Sequence, residues 1–378
     1  MCCETSLRRL GTDYIAIYQP HCGASLEEVE AILNTLEQLH SEGLLRAYGP
    51  STDDPELARL FAEGDFIMKL RPFGNTGMNV SEIGLGSWQL ANPDWGISDT
   101  DEALRIVRRS LDAGCNFFDT APAYNHGKSE ELLGQALKPV RQDVIICSKF
   151  GHSAEGGTDF GTSAIRPSLE ASLRRLQTDY LDILLIHNPP RELMDGRIAD
   201  QYDELERLKA EGKVREYGVS LDWQVELEMV IETTLSKAIE VMYNVFYQEP
   251  SGAFSKAQKH GVGLIVKVPL DSGWLSGKYH HTTRFTDVRS RWPREVLERR
   301  SALIAQFAAL VPPGTSMVHA ALQFILAQPQ ISTVIPGAKS VEQALDNLAA
   351  ADGQLSPDAV QSIHAFWERE LKGDPLPW

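Results

Sequence analysis

Short apolar segments alternate with amphipathic segments along the chain from Val80 onward. The apolar segments are rich in Val, Ile, Leu and Phe, as expected of buried strands; they read VSEIGLGSW, NFFDTAPAY, VIICSKFG, LDILLIHN, VREYGVSL, IEVMYNVF, GLIVKVPL and ISTVIPGA. Between them, apolar residues recur at helical spacing, over Asp101–Asp112, Ser129–Leu137, Ser168–Leu176, Tyr202–Ala210, Val225–Thr233 and Ser301–Leu310. Strands that alternate with helices in this way predict a parallel sheet of the α/β class.

The number of strand and helix units favours one particular parallel architecture. Eight units predict a (β/α)8 TIM barrel, in which the active site lies at the C-terminal ends of the strands. The alternative is a doubly wound open sheet, which typically carries G-x-G-x-x-G after its first strand. The segment GLGSW, Gly84–Trp88, lacks the third glycine. We therefore expect the barrel.

Composition and charge narrow the class of partner. The formal net charge of −16 over 378 residues disfavours nucleic acid and anionic membrane surfaces as partners. The five cysteines are odd in number and contain no C-x-x-C pair, which is typical of a reduced, cytoplasmic setting. No apolar run reaches the roughly 18 residues that a membrane span needs. We expect a cytoplasmic protein that acts on a small molecule and has no membrane partner.

Polar residues close three neighbouring predicted strands. Asp119 ends the second strand and Tyr124 follows it, while Lys149 ends the third strand and His187 the fourth. An ammonium group lowers the pKa of an adjacent phenol, and a carboxylate keeps a buried lysine charged. We therefore predict a catalytic set in which Tyr124 donates a proton to a carbonyl oxygen. Lys149 would assist Tyr124, Asp119 would hold Lys149, and His187 would orient the oxygen.

Six segments resemble the strand-end motifs of the aldo-keto reductase superfamily, in the same order. They read FFDTAPAYNHGKSEELLG, ICSKFG, LLIHNP, YNVFYQEP, VPLDSGWLSGKY and VIPGAKSVEQALDNL. The resemblance implies an NADPH-dependent barrel that reduces aldehydes and ketones to alcohols without a metal. The family's catalytic Asp, Tyr, Lys and His match Asp119, Tyr124, Lys149 and His187.

The resemblance also implies how the cofactor is held. Ser220 and Gln248 match the residues that bind the nicotinamide carboxamide, and Lys267 matches the residue that covers the nicotinamide ring, which is often aromatic in the family. Lys339 supplies a cation suited to a 2′-phosphate, at the start of a helix whose N–H groups can bind phosphate; NADPH is therefore favoured over NADH. The implied cofactor residues are Ser87, Trp88, Asn188, Ser220, Gln248, Lys267, Pro269, Leu270, Gly337, Lys339, Gln343 and Asn347.

Other functions are compatible with the same residues. The chain could work in the oxidative direction as a sugar or alcohol dehydrogenase. It could also be a regulatory barrel that binds NADPH without turnover, although Tyr124 and Lys149 argue against this. A third alternative is an isomerase or aldolase that uses Lys149 as a Schiff base. The glycine-rich segment Gly151–Gly161 is interpreted as a substrate-gating loop.

The first 67 residues repeat part of the barrel. Residues 6–21, SLRRLGTDYIAIYQPH, share ten of sixteen positions with residues 172–187, and residues 36–53 share ten of eighteen with residues 205–222. Residues 1–67 are therefore interpreted as a partial aldo-keto reductase, from helix three to helix five, and residues 68–378 as a complete domain. The fragment contains His21 and Ser51 but no counterpart of Tyr124. It is either a remnant of a fusion or mis-assigned start, with Met68 the authentic start, or a docking appendage.

Overall fold

The computed structural model describes residues 68–95 and 98–377, together with Thr35, Leu36 and Leu39. The chain divides into two units, Met1–Ile67 and Met68–Trp378, and the fold described below is that of the second unit. Apart from the three residues named, the interpretation of residues 1–67 as a partial barrel lies outside the described residues.

The predicted strands are all present. A short pair precedes them, β1 at Leu70–Pro72 and β2 at Asn79–Ser81. The parallel strands are β3 Leu85–Gly86, β4 Phe117–Asp119, β5 Ile145–Phe150, β6 Leu181–His187, β7 Val214–Leu221, β8 Ala238–Met242, β9 Gly263–Lys267 and β10 Ile331–Val334.

The parallel strands form a barrel in chain order. Each strand from β3 to β10 pairs with the next. Parallel bridges from Ile83 to Val334 and from Gly86 to Gly337 join the first strand to the last, and the Gly84 N–H donates to the Val334 carbonyl at 2.8 Å. The (β/α)8 prediction is confirmed.

An antiparallel hairpin closes the N-terminal end of the barrel. Strands β1 and β2 pair from Leu70↔Ser81 to Pro72↔Asn79, and the turn between them presents Phe73 to the interior. The Phe73 ring stacks on Phe117 of β4 with 6.2 Å between ring centroids. This apolar plug leaves the opposite end, where the strands terminate, as the place for polar side chains.

Ten helices are present in the described part of the second unit. They are α1 Thr100–Asp112, α2 Lys128–Leu137, α3 Thr162–Leu176, α4 Gln201–Ala210, α5 Gln224–Thr233, α6 Phe254–Lys259, α7 Arg294–Ala308, α8 Met317–Leu326, α9 Val341–Ala349 and α10 Pro357–Glu370. Within the described residues, no helix combines the length and the apolar character that crossing a bilayer requires.

Two helices begin earlier than their apolar spacing indicates. Helix α3 begins at Thr162 rather than Ser168 and contains Pro167. Proline lacks an N–H and is therefore common at a helix start. Within the first two turns it removes only one backbone hydrogen bond, so α3 can begin before Pro167. Helix α7 begins at Arg294 rather than Ser301, since its first turns are polar and add little to the apolar pattern.

Gly218 of β7 allows β8 to approach closely. A Cβ atom at this position would lie 1.6 Å from the Ala238 carbonyl oxygen. We expect Gly218→Ala to lower the free energy of unfolding by more than about 3 kcal/mol, because the backbone of β8 has to move. Gly373→Ala is the control, since a Cβ there meets nothing within 4 Å. Denaturant unfolding measures both, and equal midpoints would contradict the expectation.

Candidate active site

Lys149 lies at the centre of the residues predicted to be catalytic. Its side chain on β5 is fully buried. The ammonium nitrogen is 2.7 and 2.6 Å from the two carboxylate oxygens of Asp119 and 3.0 Å from the Thr120 carbonyl oxygen. The Tyr124 hydroxyl oxygen lies 3.5 Å from the same nitrogen. The ends of β4 and β5 thus bring the carboxylate, the ammonium and the phenol together.

A strained turn positions Tyr124. Asn125 and His126 both have left-handed backbones, with φ of 47° and 53°, a conformation that costs of order 1 kcal/mol or more per residue. The Asn125 side-chain amide donates to the Ala91 carbonyl at 2.6 Å and fixes the turn. The phenol ring then stacks on Trp88, with 6.0 Å between centroids and 27° between planes. Trp88 therefore packs directly against the Tyr124 ring.

The pKa of Tyr124 moves in the opposite direction to the prediction. Burial raises the pKa of the phenol, and the Lys149 ammonium only partly offsets this because Asp119 and Glu240 act in the same sense as burial. The phenol consequently stays protonated throughout the neutral range. Lys149 limits the rise in pKa rather than producing a net fall.

Lys149 is held in its charged form. Burial alone would lower its pKa, but the Asp119 and Glu240 carboxylates raise it well above its usual value. A Schiff base requires a neutral amine, so this arrangement disfavours the isomerase or aldolase alternative.

His187 and His152 place two imidazoles beside Tyr124. The His187 ring is 5.9 Å from the Tyr124 ring and 4.9 Å from the His152 ring, centroid to centroid. Burial, followed by the charges of Lys149 and Lys267, lowers the pKa of His187 well below its usual value. The imidazole is therefore neutral, and its buried Nδ1 has no hydrogen-bond partner within the described residues. His152, next to the left-handed Gly151, follows the end of β5 by two residues and was not among the predicted site residues.

Ser220 and Asn188 form a polar network with Lys267 at the neighbouring strand ends. The Ser220 hydroxyl oxygen is 2.8 Å from the Asn188 side-chain carbonyl. The Lys267 ammonium donates to both residues, at 2.9 and 2.7 Å, and lies 3.0 Å from the Asp222 carboxylate. These three predicted cofactor residues are brought together, and Lys267 is an ion-paired cation at the position that the resemblance gives to a ring-covering residue.

Gln248, which is also predicted to bind the carboxamide, has hydrogen-bond partners outside this network. Its amide donates to the Val245 carbonyl at 3.1 Å, and its oxygen is 2.6 Å from His364 of α10. It therefore ties the segment after β8 to the last long helix. Glu240, on β8 itself, is the residue that reaches Ser220, with its carboxylate 2.9 Å from the serine hydroxyl.

Other predicted cofactor residues lie along the barrel mouth. The Ser87 hydroxyl donates to the Asp119 carbonyl at 2.6 Å. Pro269 and Leu270 lie in the loop that follows β9, directly after Val268, whose φ is 54°. At Gly337 a Cβ atom would lie 1.8 Å from the side-chain oxygen of Gln89, so a larger residue there would displace the Gln89 side chain.

The start of α9 is less open than predicted. The Val341 N–H donates to the Glu102 carboxylate of α1 at 3.1 Å, and the Gln343 N–H donates to Ser340 at 3.3 Å. The Gln343 side chain accepts the Lys339 N–H at 3.1 Å, and Asn347 donates to the Gly337 carbonyl at 3.4 Å. A carboxylate therefore already occupies part of the expected phosphate site.

Lys339 keeps a cation at this site. Its ammonium donates to the Trp95 carbonyl at 2.8 Å, and burial and the nearby Arg289 lower its pKa. The Arg289 guanidinium lies 5.2 Å from the Trp95 ring centroid, and the Lys339 ammonium lies 5.4 Å from it. Two cations thus flank one indole, and Arg289 was not among the predicted residues.

A model of a known protein family matches most of the chain, in agreement with the resemblance of the strand-end motifs. The model described as "Aldo/keto reductase family" matches residues 1–65 and 82–368. The chain belongs to the aldo-keto reductase family. It is accordingly an oxidoreductase, and aldo-keto reductases generally use NAD(P)H.

Individual aldo-keto reductases resemble the chain over most of their length. The L-galactose dehydrogenase of Arabidopsis thaliana is 33% identical over 75% of this chain and 88% of that protein. The holo form of aldo-keto reductase AKR11C1 from Bacillus halodurans is 30% identical with a TM-score of 0.68, over 79% of this chain and 96% of that one. The glycerol dehydrogenase AKR11B4 of Gluconobacter oxydans is 26% identical with a TM-score of 0.67, over 81% and 96% respectively.

Proposed function

We propose that this aldo-keto reductase reduces aldehydes or ketones to alcohols with NADPH, and that Tyr124 is the general acid. The observation that carries the proposal is the contact of one buried ammonium, that of Lys149, with both the Asp119 carboxylate and the Tyr124 hydroxyl. A phenol beside a fixed cation is suited to donate a proton to an oxygen on which negative charge develops.

The chain's residues fit a dinucleotide across the barrel mouth. Ser220 and Asn188 lie together at the strand ends, where a carboxamide would replace hydrogen bonds that they now make to each other and to Lys267. Lys339 offers a cation to phosphate. The buried Nδ1 of His187 has no hydrogen-bond partner within the described residues, as expected of a group that forms a hydrogen bond to a bound ligand. When bound, NADPH supplies the hydride that adds to the carbonyl carbon.

The proton balance follows from the protein's own groups. As the C=O π bond breaks, the Tyr124 O–H gives its proton to the substrate oxygen, because an alkoxide is a stronger base than a phenolate. The Lys149 ammonium stabilises the phenolate that remains until solvent returns the proton, and Asp119 keeps Lys149 in place. Neutral His187 can donate a hydrogen bond to the carbonyl oxygen without competing as an acid.

The substrate class and direction are tested together. The full chain is assayed for NADPH consumption with a panel of aldehydes, ketones, quinones and sugars, and for NADP⁺ reduction with the matching alcohols and polyols. Two of the similar proteins are an L-galactose dehydrogenase and a glycerol dehydrogenase, which favours hydroxylated substrates in the second arm. A protein that binds NADPH but is inactive in both arms would support the regulatory-barrel alternative instead.

Lys339 and Glu102 are expected to have opposite effects on the preference for NADPH over NADH. Removing the cation with Lys339→Met should weaken NADPH binding about tenfold or more and leave NADH binding nearly unchanged, since one hydrogen bond to a charged group contributes about 1.5–3 kcal/mol. Glu102→Gln should strengthen NADPH binding, because it removes a carboxylate from the phosphate site.

Titration of both dinucleotides by calorimetry measures this preference. Glu131→Gln provides a control, because it neutralises a carboxylate whose side chain is 53% exposed on α2 and paired with Lys128. Equal losses of NADPH and NADH affinity in Lys339→Met would contradict a role at the 2′-phosphate.

A further inference from the structure

A second carboxylate, that of Glu240, is buried at the centre of the site. Its residue is 2% exposed and lies beside Ser220 in the register of β7 and β8. One carboxylate oxygen is 2.9 Å from the Ser220 hydroxyl, and the other is 3.2 Å from the Lys149 ammonium. Burying a carboxylate is costly unless a charge or hydrogen bonds compensate, so its presence in an apolar strand needs a reason.

Glu240 is not required to fix Lys149. The ammonium has three N–H bonds, and the Asp119 oxygens and the Thr120 carbonyl lie at 2.6 to 3.0 Å to accept them. The Glu240 oxygen that faces Lys149 has no hydrogen-bond partner within the described residues. Its interaction with Lys149 is therefore an electrostatic attraction rather than a hydrogen bond.

The connected network carries an excess of negative groups. The carboxylates of Asp119, Glu240 and Asp222 share two ammonium groups, those of Lys149 and Lys267. A carboxylate oxygen of Asp119 and one of Glu240 lie within 4.8 Å of one another. Burial and the Glu240 charge raise the pKa of Asp119, whereas Lys149 and Lys267 hold the pKa of Glu240 below its usual value against the effect of burial. The two ammonium groups thus favour the charged form of Glu240.

We propose that Glu240 discriminates between the two oxidation states of the dinucleotide and favours the oxidised form. The inference rests on the proposed function, in which Ser220 binds the nicotinamide carboxamide. The nicotinamide ring carries a positive charge only when it is oxidised, and if Ser220 holds the carboxamide, the Glu240 carboxylate 2.9 Å from the Ser220 hydroxyl would lie next to that ring. Charges within several ångströms in a partly buried site interact by a few kcal/mol, enough for a tenfold preference.

This preference has a consequence for the direction of the reaction. Binding is linked to the redox equilibrium, so tighter binding of the oxidised form shifts the equilibrium on the protein toward carbonyl reduction by the same factor. Lys267 is expected to disfavour the oxidised form, because its positively charged ammonium lies 2.9 Å from the Ser220 hydroxyl. The balance of Glu240 and Lys267 would set how strongly the oxidised form is favoured.

The test compares dissociation constants for NADP⁺ and NADPH, measured by calorimetry on the full chain at one pH. In Glu240→Gln, which preserves shape, we expect the preference for NADP⁺ to fall about tenfold or more. In Lys267→Met it should rise. Glu131→Gln, an equal charge change on α2, should leave the ratio of the NADP⁺ and NADPH dissociation constants unchanged. If Glu240→Gln merely lost a packing contact, the binding of NADP⁺ and of NADPH would weaken by the same factor.

The possible outcomes distinguish a failure of the proposed function from a failure of the role of Glu240. If the wild-type chain binds neither dinucleotide, the proposed function is wrong. If both bind and Glu240→Gln changes their ratio by less than about twofold, the role of Glu240 is wrong while the proposed function survives. Circular dichroism checks that Glu240→Gln is folded; if it is not, Lys267→Met decides, and an unchanged or reduced preference for NADP⁺ would overturn the inference.

Discussion

Tyr124→Phe should reduce the turnover number for carbonyl reduction by about a thousandfold or more, because general acid catalysis contributes up to about 10⁴. Phenylalanine keeps the ring that stacks on Trp88 at 6.0 Å and removes only the hydroxyl that faces Lys149. Dinucleotide affinity should therefore stay within about twofold of the wild type, since the contact energies are the same. Steady-state kinetics and fluorescence titration with NADPH measure the two quantities separately.

Tyr180→Phe is the matched control for this substitution. Tyr180 immediately precedes β6, at the end of the barrel opposite the site, and its ring lies 4.0 Å from the Arg141 guanidinium. Loss of its hydroxyl should leave turnover unchanged. Turnover by Tyr124→Phe equal to that of Tyr180→Phe would remove Tyr124 from the mechanism.

Lys149→Met should both abolish turnover and destabilise the barrel. The change leaves the buried carboxylates of Asp119 and Glu240 without the ammonium that lies 2.6 and 3.2 Å from them. Removing one partner of a buried ion pair costs about 3–5 kcal/mol of unfolding free energy. The rate should also fall about a thousandfold or more, because the phenolate left by proton transfer is no longer stabilised. Denaturant unfolding and steady-state kinetics measure the two effects.

A double variant separates the stability effect from the rate effect. Adding Asp119→Asn to Lys149→Met removes one of the stranded carboxylates, so part of the lost stability should return. Activity should not return, since the ammonium is still missing. Wild-type unfolding behaviour in Lys149→Met alone would contradict the ion-pair interpretation.

The strands and the four polar residues at or just after three of their ends were predictable because barrel geometry is simple. Parallel strands present their C-terminal ends at one mouth, so polar residues at three successive ends had to meet, as Asp119, Tyr124, Lys149 and His187 do. Helices were predicted less well. Helix α8, Met317–Leu326, is buried over its last seven residues, and Gln323 is buried among them, so a polar residue does not mark an exposed face there.

The remaining site residues depend on contacts that spacing does not reveal. Glu240 stands inside an apolar strand, where a lone glutamate is costly to bury, and this cost is the signal in the sequence that could have identified it. The contact of Glu102 with the start of α9 joins residues far apart in the chain, so no local pattern predicts it. The raised pKa of Tyr124 also required the burial and the second carboxylate to be known.

Hydride transfer itself provides the most direct measurement. NADPH labelled with deuterium at the transferable position of the nicotinamide is incubated with the full chain and an aldehyde that proves reactive in the panel, and the alcohol is analysed by mass spectrometry. We expect the deuterium on the carbinol carbon, one label for each NADPH consumed, and almost none with Tyr124→Phe. An alcohol without the label, or no alcohol from any carbonyl compound although NADPH binds, would contradict a barrel built around Tyr124 and Lys149 for carbonyl reduction.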